Sequence, residues 1–437
     1  MIQALRMIAL LAATSGLASA ASAQQPGTAA ASVVAVPPFS TPDDKPTRGG
    51  GSTLSIAWDA SKLIAQDLRT TSEVMPLPPA QKDYYSFPEV TAPSFQKWRA
   101  AGAKVLVTGF VQGRSDGRVT FGCYIYDVEK GREVSRKGFV VDPGDWQRAA
   151  HKCSGQAYTA VTGAPGIFDS RIAYVAETGR GPARIERIAI MDVDGSNQRY
   201  LTAGDTMVLS PRLSPKATRI AYVGYTNGKP QVRLLDVAAG TQRPLTTIDA
   251  ISFAPRFSPD GRRILFTMIT GSNSDIYVAS SEGGPPQRLT TSPGIDTDAS
   301  FSPDGSRIVF ESDRSGTQQL YVMNADGSAQ RRISFGQSRY AAPEWSPDGE
   351  WIAFTRRDPG GRRIGIMKPD GTGEQLLTSG PSDEGASWAA SSRELIFQRS
   401  DPAGNATLYR VSLDGSAPRN VVLAQGGSDP DWSGVMD

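Results

Sequence analysis

Hydrophobic and polar positions follow two regimes along this chain. From Gly163 onward, short apolar runs alternate with clusters of Ser, Pro, Asp and Gly, the pattern of many short strands joined by tight turns. Before Gly163, helical and strand periodicities are mixed.

In the second regime a unit recurs, most legibly in TDASFSPDGSRIVFESDRSGTQQLYVMNADGSAQRRIS, Thr297 to Ser334. Aligning the apolar residue before the turn gives Leu213, Phe257, Phe301, Trp345, Trp388 and Trp432, spaced 44, 44, 44, 43 and 44 residues apart. After the turn comes a strand (Arg171 to Val175, Arg219 to Val223, Arg263 to Thr267, Arg307 to Glu311, Trp351 to Thr355, Glu394 to Gln398), then a second, such as Leu320 to Met323. A final short strand ends in Leu-Thr or its equivalent, as at Leu289-Thr290. In SPDG the proline presets φ, the aspartate bonds its own backbone, and Gly261, Gly305 and Gly349 supply a positive φ. Asp194-Gly195, Asp326-Gly327, Asp370-Gly371 and Asp414-Gly415 mark the second hairpin. Six four-stranded units predict a six-bladed β-propeller over residues 164–437. The first unit enters at Phe168-Asp169 without a first strand, and SDPDWS at the C-terminus is a first strand with nothing after it. The C-terminal strand is therefore expected innermost in the first blade, a 3+1 closure that removes an open edge.

The first regime predicts a small α+β domain over residues 32–163. ASVVAVPPF reads as a strand, and Ser52 to Thr70 as a capped helix with Ile56, Ala60, Leu63 and Ile64 on one stripe. A short helix near Ser94 to Gly102 precedes VLVTGFVQG and a hairpin turning at Lys130-Gly131. DWQRAAHKCSGQAYTAV closes the domain as a helix with Trp146, Ala149, Ala150, Cys153 and Ala157 on one face. His151 falls off that stripe, which predicts a solvated or capping side chain.

The N-terminus adds a compartment. One early cation, an apolar run from Met7 to Ala13 and the ending Ala21-Ser22-Ala23 form a secretory signal peptide, cleaved after Ala23 or Ala20. The run is far shorter than the ~20 residues that span a bilayer. Residues 1–23 are thus read as signal peptide and 24–31 as a flexible arm. Cys123 and Cys153 are the chain's two cysteines and both point toward one core. In an exported protein this predicts a disulfide; the alternative is two buried thiols that never meet.

Composition then removes function classes. A net charge of +2 from 46 basic and 44 acidic residues gives no bias toward nucleic acid. A single histidine cannot build a multi-histidine metal or catalytic site. The glycines of TRGGG lack the Lys and Ser/Thr of a phosphate cradle, GSNSD lacks the second glycine of a nucleophile elbow, and DVDGSN lacks the closing Glu of a calcium loop. No catalytic residue, metal or cofactor is expected. What remains is a surface: the loops Ile251 to Ala254, Asp296 to Ala299, Arg339 to Ala342 and Asp383 to Ala386 lead into the channel, polar with exposed aromatics expected at Phe253 and Tyr340.

A signal peptide, AVPPF, a helix with IAQDLRTT, the junction AAHKCSGQAYTAVTGAPGIFDSRIAYV, SPDG blades and a terminal DWS together resemble the TolB family of the Tol-Pal envelope system, over essentially the whole mature chain. The resemblance implies a non-enzymatic periplasmic scaffold, monomeric, that binds the lipoprotein Pal and couples to TolA in outer-membrane integrity and constriction at division. Other outer-membrane lipoproteins are further possible partners. Carried onto this chain, Pal-facing positions fall on Ser252, Phe253, Asp296, Thr297, Asp298, Arg339, Tyr340, Asp383 and Glu384, with Thr297 and Asp298 the best match. Around Ile251 and Phe253 the chain departs from the polar residues expected. The TolA-binding positions fall on Gln24, Gln25, Pro26 and Gly27, in an arm that is shorter and more Ala-rich than the family's. The competing reading is a secreted propeller hydrolase or lyase acting on peptide or sugar, which requires convergent catalytic groups at the channel mouth.

Overall fold

The computed structural model describes residues 31–437 apart from 49, 81–84, 180–182, 227, 422, 424 and 437. The signal peptide and the arm, with Gln24, Gln25, Pro26 and Gly27, lie outside the described residues.

The α+β part is a five-stranded sheet backed by helices. Strands β1 (Ser32–Ala35), β2 (Val74–Leu77), β3 (Val105–Gly113), β4 (Val119–Asp127) and β5 (Arg132–Val141) lie in the order β2-β1-β3-β4-β5, with β1 parallel to both neighbours. Helix α1 (Thr53–Arg69) starts at Ser52, whose Oγ accepts from the Ser55 N–H while its own N–H donates to Ser55 Oγ. Its face of Ile56, Ala57, Ala60, Ile64 and Leu68 is buried. The predicted second helix is a single turn, α2 (Gln96–Ala100), which buries Trp98.

Helix α3 (Trp146–Thr162) ends at Gly163, whose φ of 71° lets its N–H reach Thr159. Cys153 on α3 is bonded to Cys123 on β4, tying helix to sheet. The expectation for His151 is corrected: it is 2% exposed. A residue off the first stripe is buried because α1 and the first blade also pack on the helix, bringing Asp67 and Asp194 to His151.

Six four-stranded antiparallel sheets follow. The first blade contains β6 (Arg171–Thr178), β7 (Ile185–Asp192) and β8 (Arg199–Tyr200), and its innermost strand is Gly426–Trp432 from the C-terminus. The 3+1 closure is present. Trp345, Trp388 and Trp432 are buried at 5%, 3% and 5% exposure, where neighbouring blades meet.

The two parts share a core. Apolar packing runs from Val34, Ile64 and Phe121 through Tyr158, Ile167 and Phe168 into Ile172, Leu408 and Trp432 of the first and last blades. At this junction Gly166 lies against α3, where an added Cβ would fall 2.3 Å from the Gly155 Cα, so only glycine permits the approach. The α+β part seats on the face carrying the SPDG turns. There Asp169 meets Arg148 and Lys152, each at 3.4 Å, Glu73 meets Arg393 at 2.9 Å, and Arg419 donates to the Thr70 carbonyl at 2.8 Å. Among the described residues, none covers the face with the loops leading into the inner strands.

The propeller channel as candidate partner interface

The six innermost strands share a device that creates the channel wall. Each breaks register with its neighbour at the same place, with a residue at positive φ: Ser210 (48°), Ala254 (51°), Asp298 (50°), Ala342 (48°), Gly385 (66°) and Asp429 (49°). These are β-bulges, which turn the strand and expose a backbone N–H that the ladder no longer pairs. Side chains of the preceding blade take several of them: Asp429 accepts from Ser210 at 2.9 Å, Thr355 from Gly385 at 3.3 Å and Gln398 from Asp429 at 2.6 Å.

Two residues further on lies a second tier: Arg212, Arg256, Ser300, Glu344, Ser387 and Asp431. Arg256 bridges Glu344 at 2.6 Å and Asp431 at 3.1 Å, and Arg212 stands 3.8 Å from Asp431. The acceptors also hold the next blade: Asp431 takes the Leu213 N–H at 2.7 Å, Glu344 the Trp388 N–H at 2.9 Å, and Ser387 the Trp432 N–H at 3.1 Å. Burial pushes the Asp431 carboxyl up, against the pull of Arg212 and Arg256. Arg212, Arg256, Ser300, Glu344 and Asp431 line a cavity of about 280 Å³ with Pro215, Pro259, Pro303 and Pro347 of the turns. These six side chains escaped the sequence reading. The signal was available, since each immediately precedes one of the aligned apolar markers.

Toward the mouth the sequence-predicted positions divide. Asp296 is fully buried, accepting from Ser312 at 2.5 Å and Arg314 at 2.7 Å. Asp383 is fully buried in a paired contact with Arg399 at 2.6 and 2.9 Å. Ser252 accepts from the Val232 N–H at 3.0 Å, and Thr297 accepts from Thr267 at 3.1 Å. These four side chains are engaged within the fold. Phe253 and Asp298 are half-buried, Arg339 is exposed, and Glu384 pairs with Arg362 at 2.6 Å. Tyr340, expected exposed, is 3% exposed and donates to Glu374 at 2.8 Å; its ring packs on Phe354 because the strand turns it between blades. On the loop just before Tyr340, Phe335 is exposed, at 65%.

Beside Asp298 lies Glu311, 3% exposed and accepting from Gln318 at 2.6 Å. Burial, then the charge of Asp298, push its carboxyl up to about 8. Asp298 is raised as well, by burial first, with Arg212, Arg256 and Arg357 opposing.

The single histidine belongs elsewhere. His151 Nδ1 lies 2.9 Å from Asp67 of α1, Ser154 donates to the same carboxylate at 2.6 Å, and His151 Nε2 lies 3.6 Å from Asp194 in the turn after β7. Burial opposes a charged imidazole, but the hydrogen bond and charge of Asp67, with Asp194 and Asp192, hold its pKa up at about 9. The cluster joins α1, α3 and the first blade by charge rather than by chemistry. Among the described residues no group of three or more His, Cys, Asp or Glu is arranged to hold a metal ion, and no helix is long and apolar enough to cross a membrane.

A channelled six-bladed propeller closed by its own C-terminal strand, with an α+β domain locked on one face, defines a two-domain propeller scaffold with one open face. Residues 158–436 match the family described as the TolB beta propeller domain, and residues 25–134 the TolB amino-terminal domain. The chain belongs to the TolB family. The Tol-Pal system protein TolB of Zymomonas mobilis is 47% identical over 199 residues, 46% of this chain and 43% of that protein. That of Rhizorhabdus wittichii is 48% identical over 196 residues, covering 45% and 44%. These matches thus span less than half the length of the curated relatives. The crystal structure of TolB from Acinetobacter baumannii superposes with a TM-score of 0.75 at 28% identity, covering 92% of this chain and 96% of that one.

Proposed function

We propose that this protein is a non-enzymatic periplasmic scaffold of the Tol-Pal system, binding Pal at the propeller mouth and coupling to TolA through its N-terminal arm, in support of outer-membrane integrity and constriction at division. The reading includes a signal peptide at 1–23, the arm at 24–31, the α+β domain at 32–163 and the propeller at 164–437. The observation that carries it is the asymmetry of the two propeller faces: one is occupied by the α+β part through a shared core and ion pairs, and on the other the described residues leave the channel mouth free for a partner. The family membership and the names of the relatives support the same role. The position of His151 agrees with a scaffold, since the one histidine works as a charge in the seam.

The test is titration of the periplasmic domain of Pal from the same organism into the purified protein. Saturable binding is expected. Absence of heat and of co-elution at high micromolar concentration, with retained binding to a glycan or peptide, sinks the reading.

A further inference from the structure

The longest free strand edge among the described residues lies outside the propeller. The outer strand of each blade has two or three residues, and β2, at one end of the α+β sheet, has four with Pro76 among them. Both are ways of blunting an edge, because a short strand or a missing N–H gives a new strand little to pair with. β5, at the other end, runs ten residues from Arg132 to Val141 without a proline, and among the described residues it pairs with β4 alone. Alternate backbone N–H and C=O groups along it face away from β4.

Beside that edge lies a groove. A cavity of about 910 Å³ has Val134, Lys137 and Phe139 of β5 on one side, Gly155 and Thr159 of α3 on the other, and Val435 of the C-terminal tail at its wall. A second, of about 950 Å³, continues past Val140 and Val141 to the first blade and shares Phe139 and Lys152 with the first. Val134 to Val141 spans roughly 24 Å at the rise of a strand. Three large apolar side chains along the groove stand in solvent: Val134 (49% exposed), Val140 (45%) and Val435 (41%). Lys137 and Phe139 lie across from Cys123 and Phe121 of β4, so both are on the helix-facing side of the sheet.

The charge here is one-sided. β5 carries Arg132, Arg136 and Lys137 against Glu133, which Arg136 meets at 3.4 Å. Opposite, Arg148 and Lys152 share the carboxylate of Asp169, each at 3.4 Å. Lys137 is exposed with no carboxylate in ion-pair reach among the described residues. Past Val141 the excess ends, where Asp142 and Asp145 stand with Arg118 and Arg199. Cations on an edge protect it from self-pairing, since the β5 of a second copy would set the same charges against these. The chain's own arm, uncharged from Gln24 to Ala31, answers none of them. An acidic strand is not repelled, and protection alone requires no adjoining groove with apolar side chains left in water.

We propose that the β5 edge and its groove bind an extended acidic segment of another protein, about eight residues long, which adds to the sheet as a sixth strand. The free backbone groups of β5 supply the pairing. On the helix-facing side, an apolar residue of the segment covers Phe139 while carboxylates reach Lys137 and Lys152. The site is on the α+β part, away from the channel mouth, and does not depend on where Pal binds.

The probe is the labelled octapeptide EVVEEVVE, titrated into the purified protein and followed by fluorescence anisotropy, with KVVKKVVK as its counterpart. Binding at least about tenfold tighter for the acidic peptide is expected, weakening as salt rises. Hydrogen exchange is expected to slow over Arg132–Val141 on binding and to stay unchanged over Asp296–Phe301 by the mouth. Val134→Asp with Lys137→Glu, both at exposed positions, is expected to weaken the acidic peptide about tenfold or more at unchanged melting temperature. No binding, equal binding of the two peptides, binding without protection of β5, or binding that the double variant leaves within about twofold overturns the proposal. Exchange already slow along the whole of β5 before peptide is added assigns the edge to the chain itself and overturns it too. None of these outcomes touches the proposed function, which the Pal titration tests separately.

Discussion

The two faces of the propeller are built from the same repeated strands yet end in opposite chemistry. On the SPDG face, turns of the first and last blades meet the α+β part through Phe168, the Asp169 pairs with Arg148 and Lys152, and the charged His151 between Asp67 and Asp194. On the mouth face, equivalent loops leave Met207, Ile295 and Phe335 in solvent. The difference teaches where this fold stores stability and where it stores specificity. Polar groups on the sealed face have intramolecular partners, whereas the open face carries apolar surface that gains only when something covers it. Substitutions on the two faces should therefore separate cleanly, stability on one side and binding on the other.

The largest effect should come from the strand the two faces share. Deleting the chain from Gly426 onward removes the innermost strand of the first blade with Asp431 and Trp432. The loss is expected to exceed ~5 kcal/mol, a large share of a domain's stability, so the truncated chain should not melt cooperatively by calorimetry. A truncated protein melting like the whole would break the closure.

On the sealed side, Cys123→Ser with Cys153→Ser opens a loop with a sequence separation of 30, for an expected cost of about 3 to 4 kcal/mol in urea unfolding. His151→Ala removes the cation between Asp67 and Asp194 and is expected to cost about 3 kcal/mol near neutral pH. Its folded pKa of about 9 lies above the ordinary 6.5. The stabilisation is thus fully present below pH 6.5 and is lost as pH rises through about 9. The variant should lose this component of the pH dependence while the Cys variant keeps it.

Inside the mouth a carboxyl gives the same direction over a lower pH window. Glu311 has its carboxyl raised from 4.5 to about 8, so its contribution is best below pH 4.5 and declines as pH climbs to about 8. Glu311→Gln should flatten that decline in a series of melting temperatures. An unchanged slope would mean that the folded protein does not hold the proton. The smallest effect belongs to the rim: Arg362→Ala breaks a half-exposed pair with Glu384 and should change stability by less than about 0.5 kcal/mol.

Much of this architecture is written in the chain. The 44-residue spacing of Leu213 to Trp432, the turn chemistry of SPDG and Asp-Gly, and the split first unit specify six blades and their closure, because strand length and turn geometry are local properties. The Ser52 cap and the stripe of α1 are legible for the same reason. The site was read less well. Asp296 and Asp383 sit on the predicted loops, but a bulge two residues further on turns their side chains into the blade, toward Arg314 and Arg399.

Periodicity names which residues share a face but not what packs on that face. That is why Tyr340 was expected in solvent and lies against Phe354, and why His151 was expected solvated and lies between two domains. The order of strands within the blades and the existence of a channel were determined by the sequence alone, whereas the order of the α+β sheet, with Val74–Leu77 at its edge, was not. The charge tier and the buried histidine were decided only by the tertiary structure, because each depends on residues tens of positions apart meeting, the tier around a closed ring and His151 between Asp67 of α1 and Asp194 of the first blade.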